Sequence, residues 1–210
     1  MIGLLSLLGA VAGFAAGRLA RLLLLSVRRG VPPPRWWCES AVALLWAVAC
    51  GWAAAGGPPW WWLPMPLALG WLAVPLAVCD IRASRLPDAL TLPAYPGAAA
   101  LLGFAALFSS RDLLSGAVLG LVIFAGGYLG IRAVSPAALG PGDVKLAGSL
   151  GAVVGAVSVP AVPACMLAAA VVTLLLLRGR PGAAVAHGPA MLAPAWLATA
   201  FPELTDARVW

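Results

Sequence analysis

Long apolar stretches, separated by short breaks rich in proline, glycine or charged residues, dominate the chain. They cover about residues 2–27, 40–55, 63–79, 89–108, 113–134, 144–159, 160–177 and 184–200. Most approach the ~20 residues that a helix needs to cross a bilayer, although the sixth and the last are short. None has the alternating pattern of a barrel strand. The pattern predicts an all-α fold, a polytopic transmembrane helical bundle of about six to eight helices.

The composition supports a single integral membrane domain over residues 1–210. Hydrophobic residues make up 63% of the chain and charged residues 10%, and the mean hydropathy is +1.00. This leaves too little polar surface to cover a soluble globule. The net charge of +6 could suggest a nucleic-acid partner, but the arginines are spread among apolar segments and form no basic face. We expect the protein to lie in a lipid bilayer and to bind no nucleic acid.

The basic residues also predict how the bundle is oriented. The charges of the first apolar stretch follow it instead of preceding it, which indicates a retained helix and not a signal peptide. With the N-terminus outside, eleven of the thirteen basic residues lie on the cytoplasmic side, as the positive-inside rule expects. The eleven are Arg18, Arg21, Arg28, Arg29, Arg35, Arg82, Arg85, Arg132, Lys145, Arg178 and Arg180, and the exceptions are Arg111 and Arg208. This predicts a multi-pass protein of the inner (plasma) membrane.

Nothing in the sequence indicates a metal or a cofactor. The four cysteines, Cys38, Cys50, Cys79 and Cys165, are scattered and form no CxxC pair. We therefore expect neither a zinc site nor a disulfide framework. No glycine-rich loop after a strand suggests a nucleotide or methyl-donor site.

The polar stretch 140–145, Gly-Pro-Gly-Asp-Val-Lys, lies between apolar runs and contains the only lysine of the chain. An ionisable residue at the edge of the hydrocarbon region of a membrane indicates a functional role by default. Gly140 and Gly142 lack side chains that would obstruct an extended peptide next to Asp143.

Three carboxylates, Asp80, Asp88 and Asp143, fall at cytoplasmic helix ends in this topology. Two carboxylates on separate helices at one depth suit an aspartic protease, in which an ionised Asp activates water and a protonated partner polarises the scissile carbonyl. We assign this pair to Asp80 and Asp143. Asp88 follows Pro87 and is better explained as a helix N-cap or first-turn acid.

The residues around these carboxylates resemble those of a known family, the type IV prepilin peptidases (leader peptidases), which are GxGD-type membrane aspartic proteases. The stretch 79–93 is similar to their first signature, an Asp followed by a Leu-Pro-Asp-x-Leu-Thr run. The stretch 140–146 is similar to the second, GxGD followed by a hydrophobic residue and Lys. Both signatures occur in the family's order, on the same predicted side of the membrane.

The resemblance implies an aspartic endopeptidase that removes the basic leader of prepilins or pseudopilins at the cytoplasmic face, in type IV pilus assembly or protein secretion. Asp80 and Asp143 would be the catalytic pair. The other motif or substrate-binding positions would be Gly140, Gly142, Lys145, Pro87 and Asp88. The lysine could bias the protonation of the pair or hold backbone geometry. The partner would be a single-pass membrane substrate whose basic leader could meet Asp88 or Glu39, although a surface-charge role is simpler for both.

The resemblance covers residues 63–200, which we take as the catalytic core. Residues 1–62 lack the paired CxxC motifs of larger members that also methylate the new amino terminus. We therefore expect cleavage without methylation. The run His187-Gly188-Pro189 is similar to a Phe-Gly-Pro run near the family's C-terminus, and we expect the substituted histidine to be structural.

Two other function classes remain open from the sequence. A proton- or cation-coupled transporter subunit would also use intramembrane carboxylates, placed near the bilayer midplane between repeat-like halves. A non-catalytic scaffold of a pilus or secretion apparatus would need only the glycine-rich helix faces.

Overall fold

The computed structural model describes residues 1–27, 30–109, 112–136, 139–178 and 185–205. In these ranges the chain forms eight α-helices of 12 residues or more, one single-turn α-helix, one short 3-10 helix (Pro202–Thr205) and no strand. The helices are α1 (Ile2–Ser26), α2 (Trp37–Ala54), α3 (Pro64–Ala83), α4 (Asp88–Thr91), α5 (Ala94–Ala105), α6 (Asp112–Val134), α7 (Pro141–Val157), α8 (Ala161–Arg178) and α9 (Gly188–Ala200). The predicted all-α bundle is confirmed. Of the basic residues used for the topology, Arg28, Arg29, Arg111, Arg180 and Arg208 lie outside the described residues.

Five helices of the described ranges, α1, α2, α3, α6 and α8, are long and apolar enough to cross a membrane. Many large hydrophobic side chains of α1, α6 and α8 point away from the protein, as expected for helices that face lipid. The chain is therefore a multi-pass membrane protein. Helix α7 differs from these outer helices, because every residue from Leu146 to Val157 is buried by the rest of the bundle.

The predicted fourth span, 89–108, is wrong as a continuous helix. The structure divides it into the single turn α4 and the 12-residue α5, with Pro93 at the junction. Pro93 has no N–H to donate to the carbonyl of Ala89, which weakens the helix at this point, although α3 and α9 continue through Pro75 and Pro194. The third span also differs from the prediction, because α3 continues past residue 79 and carries Asp80 in its last turn.

Glycines allow two helix pairs to pack backbone against backbone. In the α1–α2 pair, a Cβ atom added to Gly13 would come within 2.8 Å of the backbone of α2. In the α6–α7 pair, added Cβ atoms at Gly116 and Gly120 would overlap backbone atoms of Gly155 and Gly151. Small residues at such faces are typical of membrane helix pairs. The second pair fixes α7, and with it Asp143, inside the bundle.

Candidate active site

A cavity of about 800 Å³ opens at one end of the bundle, where α3 ends and α4 and α7 begin. Its lining includes Val27, Asp80, Ser84, Arg85, the segment 86–89, the segment 140–143 and Lys145. All seven site residues predicted from the sequence belong to this lining. The chain therefore brings together two polar stretches that lie more than fifty residues apart in sequence.

Asp80 is held by a backbone amide from the other end of the chain. Its carboxylate is 6% exposed, and Oδ2 accepts a hydrogen bond of 2.7 Å from the Gly188 N–H. Gly188 is the first residue of α9, so this N–H has no carbonyl partner within its own helix. A bond from a helix N-terminus to a carboxylate is charge-assisted.

Asp143 lies in the first turn of α7, outside the five candidate spans, and is 9% exposed. Its Oδ2 accepts a 3.2 Å hydrogen bond from the Gly140 N–H. Oδ1 is buried and has no hydrogen-bond partner among the described residues. Burial, reinforced by the negative charge of the nearby Asp80, raises the pKa of Asp143 to about 6. This carboxyl group therefore keeps its proton to a higher pH than an isolated aspartate would.

At both motif glycines, an added Cβ atom would come too close to the protein's own atoms. A Cβ atom on Gly142 would lie 2.8 Å from Cβ of Leu86, and one on Gly140 would lie 2.9 Å from Oδ2 of Asp143. Gly142 thus lets α7 pack against the segment before α4, where Pro87 is buried. Gly140 lets the Asp143 side chain fold back onto the backbone. Both glycines therefore have a packing role, and the openness to an extended peptide that the sequence suggested stays a prediction.

Lys145 joins α7 to α4. Its Nζ donates to both carboxylate oxygens of Asp88, at 2.7 and 2.8 Å. The Lys145 carbonyl accepts a 2.7 Å bond from the Tyr95 hydroxyl of α5. Of the two roles considered for Lys145, these contacts favour holding the backbone geometry.

Glu39 cannot meet a leader peptide in this structure. It is 1% exposed and accepts a 2.6 Å bond from Nε of Arg21, which links α2 to α1. The sequence-based suggestion that Glu39 receives a basic leader is therefore wrong, whereas the Asp88 side chain is 58% exposed.

His187 lies next to the site, because Gly188, the residue after it, donates to Asp80. The His187 ring is held by two residues that the sequence analysis missed. Its Nε2 is 2.8 Å from the Tyr128 hydroxyl on α6, and its Nδ1 is 2.7 Å from the Thr173 hydroxyl on α8. Neither Tyr128 nor Thr173 belongs to a recognisable motif, and apolar residues surround both in the sequence. No local signal could have linked them to His187.

A comparison with protein families shows which known family the two polar stretches belong to. The family model described as type IV leader peptidase family matches residues 67–178, more than half of the chain. The matched part contains both polar stretches and both buried carboxylates, whereas His187 lies beyond it. No curated protein and no solved structure matches the chain. On the extent of the family match, the chain belongs to the type IV leader peptidase family.

Proposed function

We propose that this protein is a membrane aspartic endopeptidase that removes the basic leader of a prepilin- or pseudopilin-like substrate at the cytoplasmic face of the inner membrane. One observation carries the proposal. Asp80 and Asp143, both buried, line the same cavity and are close enough for the charge of one to act on the other. Membership of the leader peptidase family supports peptidase activity.

The different partners of the two carboxylates suggest different roles. Asp80, stabilised as an anion by the Gly188 N–H, takes a proton from water while the water oxygen attacks the scissile carbonyl carbon. Asp143, protonated, donates from its unpartnered Oδ1 to the carbonyl oxygen, which becomes a hydroxyl of the tetrahedral intermediate. When the C–N bond breaks, the leaving amine takes the proton from Asp80. The intermediate's hydroxyl returns a proton to Asp143, so both carboxyl groups regain their starting states.

An apolar groove of about 390 Å³ adjoins the cavity and supports a position for the membrane part of the substrate. It runs between α3 and α5 over α7, and Ala89 lines both the groove and the cavity. Gly97 of α5 lines the groove, and an atom added at its Cβ position would meet nothing within 4 Å. The substrate's apolar segment occupies this groove, so that the residues preceding it enter the cavity in extended form.

The test is cleavage of a co-expressed prepilin-like substrate by the parent protein, Asp80→Asn and Asp143→Asn. Asn preserves the size of the side chain and removes the ionisable acid. Asp112→Asn is the matched control, because Asp112 is exposed at the start of α6 and does not line the cavity.

The proposal requires that the parent and Asp112→Asn shorten the substrate while the two site variants do not, with equal membrane insertion of all four. Cleavage at the parent rate by either site variant would exclude that residue from catalysis. If the parent cuts no substrate of a prepilin panel, the result would favour a transporter or scaffold function over a peptidase.

A further inference from the structure

His187 lies at a junction of four helices. Its ring lies between Tyr128 of α6 and Thr173 of α8, and the residue itself precedes α9. The next N–H along the chain, that of Gly188, donates a hydrogen bond to Asp80 of α3. The contacts that hold the His187 ring therefore also affect the position of the N–H that donates to Asp80.

The hydrogen-bond partners favour one tautomer of this ring, the one in which all three donors have an acceptor. The Thr173 hydroxyl carries one hydrogen, which it donates to the Ala169 carbonyl of its own helix at 2.8 Å. In this assignment it accepts from His187, so Nδ1 carries the proton and donates over 2.7 Å. Nε2 of the neutral ring is left as an acceptor, and the Tyr128 hydroxyl donates to it over 2.8 Å. Burial lowers the pKa of His187, in agreement with a neutral ring.

Both ring nitrogens are engaged by Tyr128 and Thr173, and His187 does not line the cavity that holds Asp80 and Asp143. Its effect is geometric. The ring is held from two sides, and this restrains the peptide unit that carries the Gly188 N–H. The restraint matters because the contact is close: a Cβ atom on Gly188 would lie 2.9 Å from Oδ2 of Asp80.

We propose that His187 is a positioning residue, clamped by Thr173 and Tyr128 so that the Gly188 N–H stays on Asp80. The consequence for turnover rests on the proposed function, in which Asp80 activates water. The clamp itself is a property of the fold and can be tested separately.

The sharpest test compares two threonines. Thr173 and Thr199 each donate to a carbonyl of their own helix, but of the two only Thr173 also receives a bond from His187. Thr173→Val should lower kcat by about tenfold or more with an unchanged KM, since small displacements of catalytic groups are costly. Thr199→Val should keep the parent kcat. Thr173→Ser, which restores the hydroxyl, should recover most of the lost activity.

Two further measurements complete the test. His187→Leu, which removes both ring hydrogen bonds, should lower kcat by as much as Thr173→Val, and the double variant should lose no more than either, because all act through one clamp. Hydrogen exchange of the Gly188 amide should be faster in Thr173→Val than in the parent or Thr199→Val.

Equal kcat and equal amide exchange in the two threonine variants would overturn the proposal. If the parent cuts no substrate, the proposed function fails, and the exchange comparison still decides whether the clamp exists.

Discussion

The Gly188 N–H donates to Asp80 across 108 residues of sequence, at 2.7 Å. Asp143, in contrast, accepts a 3.2 Å bond from Gly140, three residues before it. One carboxylate is therefore positioned by tertiary structure and the other by its own helix start. A change in how the helices pack should therefore affect Asp80, whereas a change within the 140–143 motif should affect Asp143.

The raised pKa of Asp143 predicts a pH-dependent contribution to stability. The folded protein binds this proton more tightly than the unfolded chain, in which the pKa is near the ordinary 3.8. The contribution is fully present below that value and is lost as the pH rises to about 6. The free energy of unfolding of the parent should fall over this window, by up to about 3 kcal/mol, relative to Asp143→Asn. Thermal melting in detergent from pH 3.5 to 7.5 measures this, and parallel curves would contradict the assignment.

Gly142→Ala should destabilise the start of α7. The new Cβ would lie 2.8 Å from Cβ of Leu86, an atom too close to the backbone to move freely. We expect a loss of roughly 1–3 kcal/mol, as for other overpacked sites, together with lower turnover. Gly126→Ala is the matched control, because Gly126 lies in α6 and its added Cβ meets nothing within 4 Å. Equal melting temperatures of the two variants would show that the contact is not restrictive.

Gly97→Trp should obstruct the apolar groove. Gly97 and Gly103 lie on the same helix, and both have open space at the Cβ position, but only Gly97 lines the groove. Cleavage of a full membrane substrate should fall much more in Gly97→Trp than in Gly103→Trp. The difference should shrink for a peptide that lacks the apolar segment. The same loss in both tryptophan variants would place the substrate's apolar segment elsewhere.

Variants of the Lys145–Asp88 pair can separate the two roles considered for Lys145. Because both side chains are exposed, 42% and 58%, the pair should contribute only about 0.2–1 kcal/mol to stability. If Lys145 acts by holding α4, then Lys145→Met, Asp88→Asn and the double variant should reduce turnover to a similar, modest extent. The shape of the pH profile should not change. A shift of that profile in Lys145→Met but not in Asp88→Asn would show that Lys145 tunes the carboxylate pair.

The helical class and the two polar stretches were predictable because each has a local signal. Hydrophobic runs of membrane length predict helices, and Asp80 and Asp143 stand out as ionisable residues at their ends. The break at Pro93 had no distinguishing signal, because α3 and α9 continue through Pro75 and Pro194, and the composition of 89–108 is largely apolar on both sides of Pro93.

The Asp80–Gly188 bond and the His187 clamp could not be read from the sequence. Backbone amides carry no sequence signal, and contacts among α3, α6, α8 and α9 depend on how the helices pack. The burial of Glu39 beside Arg21 belongs to the same class, because its position in the sequence resembles that of a surface residue.

The glycine contacts between α6 and α7 also bear on how a peptide could enter the site. These two helices touch through backbone atoms, so they should move as one rigid body that carries Asp143. Asp80 belongs to a second body, because α3 packs mainly on α9 and α2 and has few direct contacts with α7. Opening would then be a slide between two bodies, without unwinding of any helix. Spin labels on α3 and α7 should change their separation when substrate binds, whereas labels on α6 and α7 should keep theirs.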